Sequence, residues 1–218
     1  MRDRRTYGDS CGIARALDVV GERWALLIAR ELVLGPKRFT DLRTALPRLG
    51  PDMLAQRLRD LEAAGVLVRR RLAPPAGAQV YELTDWGREL EPVLVALGRW
   101  GSRRPLGDDP APLSPDAAAI ALETTFDPGA AAGVRASYGL RLGEHVFAIT
   151  VEDRGLTVRR GAPPHADATI ITDTPTLAGV LWGGRPLAEA VAGGELTIEG
   201  DHGAADRMPA LFAAPVPV

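Results

Sequence analysis

A single cysteine, Cys11, is all that 218 residues provide. It excludes any intrachain disulfide and fits a reducing compartment, where thiols persist. Lysine is equally scarce: Lys37 is the only one, so the positive charge is almost entirely arginine. No apolar run reaches the roughly 18 residues of a membrane span, so no membrane partner is expected. The opening MRDRRTYGDS carries charge with no apolar stretch behind it, which argues against a secretory signal and for a cytoplasmic protein. The three histidines, His145, His165 and His202, are far apart and share no metal-ligand spacing. Neither Ser114 nor Ser137 sits in a nucleophile elbow, and no glycine loop is built to cradle phosphate. No cofactor, metal or catalysis is therefore expected.

What is present is an ordinary globular composition, 46% hydrophobic and 25% charged, with an uneven distribution of charge. Residues 1–106 hold 19 Lys and Arg against 13 Asp and Glu, whereas residues 107–218 hold 7 against 15. A basic half followed by an acidic half predicts two domains, the first facing a polyanion. The proline-rich "RRPLGDDPAPLSPDAA" separates them. The expected division is a domain over 1–103, a linker over 104–113 and a second domain over 114–218.

In the basic half, Leu17, Val20, Trp24, Leu27, Ile28 and Leu32 keep one face of a helix apolar until Gly35-Pro36 ends it. Thr40 is expected to cap a short helix over Asp41–Leu46. A longer one then begins at Pro51, with Leu54, Leu58 and Leu61 inward and Asp52, Gln56, Arg59 and Ala63 roughly opposite. Gly65 closes it. Val66-Leu67-Val68, three arginines, a Pro74-Pro75-Ala76-Gly77 tip and Gln79–Leu83 form a hairpin. This is the order of a winged helix-turn-helix, a mainly α unit. Lys37, Arg38 and Arg43 frame the supporting helix where phosphates would pass, and Arg69, Arg70 and Arg71 lead into the wing. Gln56 and Arg57 have side chains that read adenine or guanine edges, and Met53 flanks them. A solvated arginine face on a protein–protein module is the plainer reading of the same pattern.

"CGIARALDVVGERWALLIARELVLGPKRFTDLRTAL", "LAQRLRDLEAAGVLVRR" and "YELTDWGREL" together resemble the HxlR-type bacterial transcription regulators, relatives of the MarR-type winged helices. The resemblance covers about residues 9–101. It implies a homodimer on a pseudo-palindromic double-stranded DNA operator, with residues 51–64 as recognition helix and 69–80 as wing. Two positions depart from it: Gly50 stands where the family usually has Ser or Thr, and Asp52 where a basic residue is common. An acid there suits the helix dipole but repels phosphate.

Thr84 is expected to cap the next helix, whose stripe of Leu90, Val93, Leu94, Leu97 and Trp100 exceeds what the small core needs. Leu90, Leu94, Leu97 and Trp100 are therefore the expected dimer interface, a role the resemblance also implies. In that family a cysteine commonly precedes the first helix, and some members use it as a thiol sensor. Cys11 is either such a redox site or a small buried hydrophobe.

The acidic half alternates differently. Tyr138, Leu140 and Leu142 share one strand face and Phe147, Ile149 and Val151 another. "LTVRR", "ATIITD" and "ELTIEG" are further strands, with short helices around Leu177–Leu181, Leu187–Val191 and the stretch HGAADRMPALF. The expected fold is α+β, an antiparallel sheet with helices on one face. "DATIITDTPTLAGVLWGG" and "LAEAVAGGELTIEGD" resemble the sterol carrier protein type-2-like fold. That resemblance implies a cavity for an apolar small-molecule ligand, lined by Tyr138, Phe147, Ile149, Leu177, Leu181 and Trp182; the same residues would otherwise fill a core. The function expected is transcriptional regulation modulated by a hydrophobic molecule. The alternative is a hydrophobic-ligand carrier or enzyme whose winged helix mediates protein contacts only.

Overall fold

The structure, a computed structural model, describes residues 6–73, 77–104 and 112–213. It divides into two compact units, Met1–Leu94 and Val95–Val218, a division that falls inside a helix. Residues 105–111 of the expected linker and residues 74–76 of the wing tip lie outside the described residues.

The first unit runs α1 (Gly12–Val20), α2 (Ala25–Val33), α3 (Phe39–Ala45), α4 (Pro51–Ala63), β1 (Leu67–Arg71), β2 (Gln79–Leu83), α5 (Asp85–Arg88) and the start of α6 (Leu90–Gly101). The single long helix expected from Leu17 to Leu32 is two. Gly21 closes α1 with its N–H on the Leu17 carbonyl, and Trp24 takes a left-handed φ of 80° before α2 begins. The break changes which side chains go inward. Val20, Ile28 and Leu32 are buried, but Leu17 and Leu27, both expected in the apolar stripe, are 42% and 38% exposed.

The short helix α3 also starts earlier than expected. Arg38, not Thr40, is its N-cap residue, because the Asp41 carboxylate reaches back to accept from the Arg38 backbone N–H at 2.9 Å. In α4 the periodicity holds: Leu54, Leu58 and Leu61 are the buried residues and close the core with Leu42, Leu46 and Leu67. Truncating one such leucine to alanine costs about 2–5 kcal/mol. Gly65 follows at φ +77°, a conformation that costs a Cβ-bearing residue and that turns the chain directly into β1.

The helix expected after Thr84 is likewise two. Thr84 caps α5, its Oγ1 accepting from the Gly87 N–H at 3.0 Å and donating to the Gly65 carbonyl at 2.8 Å. Gly87 permits this close approach, since a Cβ there would overlap the Val66 carbonyl oxygen. Pro92 brings no N–H to the Arg88 carbonyl, so the ladder resets and α6 begins at Leu90.

The second unit adds α7 (Pro115–Thr125), β3 (Arg135–Leu142), β4 (His145–Glu152), β5 (Gly155–Arg160), β6 (Ala168–Thr172), α8 (Thr174–Leu181), α9 (Leu187–Ala192), β7 (Thr197–Gly200), α10 (His202–Arg207) and a 3₁₀ turn, Pro209–Leu211. The sheet order is β5-β4-β3-β6-β7. It is mixed where an antiparallel sheet was expected, because β6 pairs parallel to β3 at the centre. The register places Tyr138 opposite Ile149, and Leu140 opposite Phe147 and Ile170, so these side chains share the buried face. Helix α7 is an element that strand periodicity does not announce. Ser114 caps it by accepting from the Ala117 N–H at 3.1 Å, and Asp116, 1% exposed, pairs with Arg160 of β5.

Candidate nucleic-acid interface

Helices α3 and α4 and the β1–β2 hairpin bring together the residues expected to meet DNA, but not in equal roles. Arg38 and Arg43 are exposed on α3 and its cap. Lys37 is not. It is 7% exposed, and its Nζ donates to Glu31 Oε2 at 2.6 Å. Glu31 is fully buried and also accepts from Arg30 Nη2 at 2.7 Å. The Lys37 backbone pairs with Tyr81 in both directions, N–H to carbonyl at 3.0 and 2.8 Å. Lys37 thus joins α2 to the wing. The expectation of a phosphate contact fails because the backbone bridge turns its side chain toward a buried carboxylate.

On α4, the two expected base readers are held within the protein. Gln56 Nε2 donates to Asp60 Oδ1, and its Oε1 accepts from Arg59, both at 2.7 Å. Arg57 has a side chain only 15% exposed, paired with Asp60 at 3.2 Å and Glu22 at 3.5 Å. Its Nε is buried. Met53 is 47% exposed and Asp52 is exposed at the front of the same helix. Glycine at position 50 supplies no side-chain cap, and Pro51 occupies the first turn instead.

The three wing arginines also differ. Arg69 faces solvent opposite Tyr81 and has no ion pair among the described residues. Arg70 pairs with Glu82, which in turn accepts from Arg88 at 3.0 Å, and Arg88 reaches Asp85 at 2.7 Å. Arg71 Nε donates to the Gly77 carbonyl at 3.0 Å and so anchors the base of the tip. Arg48, an exposed arginine in the turn before α4, is not among the residues expected at this surface; its only signal in the sequence is its place between the two helices. Arg43, Arg48 and Arg69 carry no ion pair among the described residues, which leaves their charge available to a polyanion.

Elsewhere, the α6 stripe divides. Leu94 is 9% exposed and joins the core, with Leu90 packed against it. Leu97 and Trp100 are 44% and 74% exposed, and Val93 is 52% exposed beside them. Arg99, on the other side of the helix, donates to the Thr124 and Glu123 carbonyls at 3.2 and 3.3 Å. Cys11 is exposed at the N-cap of α1, its backbone N–H on Asp9 Oδ1 at 2.9 Å. It is not the small buried hydrophobe of one of the two readings.

In the second unit, Tyr138, Phe147, Ile149, Leu177 and Leu181 are buried and Trp182 is half-buried. Burial raises the Tyr138 phenol above its ordinary pKa, and its OH donates to the Ala204 carbonyl at 3.2 Å. Trp182 Nε1 donates to Thr125 Oγ1 at 3.0 Å. Arg185, in the loop between α8 and α9, grips Glu195 with two bonds of 2.9 and 2.6 Å. That hydrogen bonding holds the Glu195 carboxyl below the usual carboxylate range. No group of three His, Cys, Asp or Glu able to hold a metal occurs among the described residues.

Residues 19–105 match the family model of the HxlR-like helix-turn-helix. A Bacillus subtilis protein, the HTH-type transcriptional regulator YvaP, is 37% identical over 89 residues, which are 40% of this chain and 82% of the relative. The chain belongs to the HxlR-like helix-turn-helix family. YdeP of the same organism, also named an HTH-type transcriptional regulator, is 34% identical over 44% of this chain and 74% of its own. The solved structure of the redox regulator HypR in its oxidized form is 33% identical, covering 44% of this chain and all of that one, with a TM-score of 0.40. Residues 112–218 match a different model, the alkyl sulfatase C-terminal family, where a sterol carrier protein type-2-like domain was expected. Among the described residues, no helix of this HxlR-like chain is long and apolar enough to cross a membrane.

Proposed function

We propose that this HxlR-like chain is a cytoplasmic, homodimeric transcription factor that binds a pseudo-palindromic operator and has no enzymatic activity. Residues 1–103 serve DNA binding and dimerisation, 104–113 link the halves, and 114–218 take up a hydrophobic small molecule in a sterol carrier protein type-2-like layout. The observation that carries the DNA reading is the set of ion-pair-free arginines, Arg43, Arg48 and Arg69, placed on the supporting helix, the turn before α4 and the wing. Such charges supply affinity by displacing counterions from phosphate, and the helix they surround supplies sequence preference. The dimer reading rests on Val93, Leu97 and Trp100, large apolar side chains that α6 leaves in water. Two linked half-sites bind far more tightly than one.

The ligand reading rests on the buried apolar side chains of the sheet, among them Tyr138, Phe147 and Ile149, and on the buried Leu177, Val180 and Leu181 of α8, a helix that Gly183-Gly184 follows. Regulation requires the ligand to bind the DNA-competent and DNA-incompetent forms unequally, and a coupling of roughly 1–3 kcal/mol gives a 5–150-fold change in DNA affinity. Fluorescence anisotropy with a duplex from upstream of the protein's own gene tests the first part. Tight binding there, and weak binding to a scrambled duplex, supports it. Equal weak binding to both refutes it. Native mass spectrometry of the purified chain with added acyl probes tests the second, and a chain that takes up none refutes the ligand reading alone.

A further inference from the structure

We infer that the first turn of α4 reads pyrimidines, with Asp52 accepting a hydrogen bond from a cytosine amino group and Met53 packing on a thymine methyl. The inference rests on the DNA-binding reading above and identifies its specificity residues. One helical turn further on, Gln56 is engaged by Asp60 and Arg59, and Arg57 by Glu22 and Asp60. Asp52, by contrast, is exposed and forms no hydrogen bond or ion pair among the described residues. It lies on the stripe opposite Leu54, Leu58 and Leu61, the side of α4 turned away from the core.

A carboxylate in the first turn suits the helix dipole, but on a DNA-facing surface it is repelled by phosphates unless it meets a hydrogen-bond donor. The major groove offers two: the cytosine N4 amino group and the adenine N6 amino group. Guanine and thymine present acceptors, O6 and N7 or O4, and are rejected. Adenine sets its N7 acceptor beside the amino group, where it faces the second carboxylate oxygen. Cytosine has only a C–H there. Cytosine is therefore the base that Asp52 selects. Met53, 47% exposed on the adjoining flank, is a flexible apolar chain with no donor or acceptor strong enough to compete with water. The one apolar group on the groove floor is the thymine methyl.

Selection from a random-core duplex library, with the full chain and its Asp52→Asn, Asp52→Ala and Met53→Ala variants, tests this. The wild type is expected to recover symmetric sites with a fixed cytosine in each half. Asp52→Ala should reduce that preference by roughly tenfold and should bind cytosine-free duplexes at least as tightly as the wild type, because repulsion is relieved. A DNA-side control avoids any question of folding. A pyrimidinone lacking the 4-amino group at the selected cytosine should weaken the wild type but not Asp52→Ala, and deoxyuridine for thymidine should weaken the wild type but not Met53→Ala. Unchanged base preferences in all three variants, with DNA affinity intact, overturn the inference and leave the DNA-binding reading standing. A wild type that recovers no DNA at any salt concentration overturns both.

Discussion

Replacing Lys37 with methionine separates two roles for the chain's only lysine. If Lys37 touched phosphate, the substitution would weaken DNA binding and leave the fold unaffected. The structure instead buries its Nζ 2.6 Å from a Glu31 carboxylate that is itself fully buried. Removing one partner of a buried ion pair costs about 3–5 kcal/mol where the other charge is left uncompensated. Arg30 stays on the other carboxylate oxygen at 2.7 Å, so the expected loss lies near the lower end, about 3 kcal/mol. With a urea dependence of about 1.5 kcal/mol per molar, this moves the midpoint by about 2 M. Hydrogen exchange of peptides from α2 and β2, followed across urea concentrations, reports this unit separately from the second. The companion change, Glu31→Leu with Lys37→Met, removes the buried carboxylate with the lysine but leaves the part-buried Arg30 without its acceptor, so it should recover part of the loss and not all of it. A Lys37→Met protein with an unchanged midpoint and weakened DNA binding would show that Lys37 meets phosphate and does not brace the fold.

The other expected outcomes concern the wing, α6 and the second unit. Arg69→Ala should weaken binding to all duplexes and shallow the salt slope by about one unit, the share of a single neutralised phosphate. Arg70→Ala, whose charge is already paired with Glu82, should change the slope less; salt-dependent anisotropy decides between them. Leu97→Glu with Trp100→Glu should give a folded monomer by light scattering, while Leu94→Ala should keep the dimer and lose about 2–3 kcal/mol of unfolding free energy. Glu195 has a folded pKa below its unfolded value, so the Arg185 grip stabilises the second unit above the ordinary carboxylate range and is lost as pH falls through the depressed value. Glu195→Gln should therefore flatten the acid side of a thermal-melting profile taken against pH.

Much of this arrangement is legible in the residues, and the misses have local causes. The apolar spacing of Leu54, Leu58 and Leu61 specifies α4, and Gly65 its end, because both signals act within a turn or two of the chain. The break between α1 and α2 depends on a left-handed tryptophan, a conformation that favours glycine and that residue type does not advertise. Lys37 departs from its expected place because its partners come from α2 and β2, and only the Lys37–Tyr81 bridge makes its side chain turn inward. The α6 stripe is visible in the spacing, but spacing alone does not say which of its residues the core has room for: Leu94 enters and Leu97 does not. The same limit applies to Gln56 and Arg57, whose side chains suit bases but find Asp60 first. In the second unit, alternation predicts each strand but not the pairing order, so the parallel β3–β6 neighbour at the centre has no signal in the residues alone.

In the proposed complex, α4 and its mate in a second copy enter successive major grooves of one operator. Hydroxyl-radical footprinting of the full chain on DNA from upstream of its own gene tests it most directly. Two protected patches related by a dyad are expected, centred one helical turn or roughly 34–36 Å apart, that fade together as salt is raised. A folded protein that protects no sequence over background at any concentration, or a single unsymmetrical patch, would contradict it.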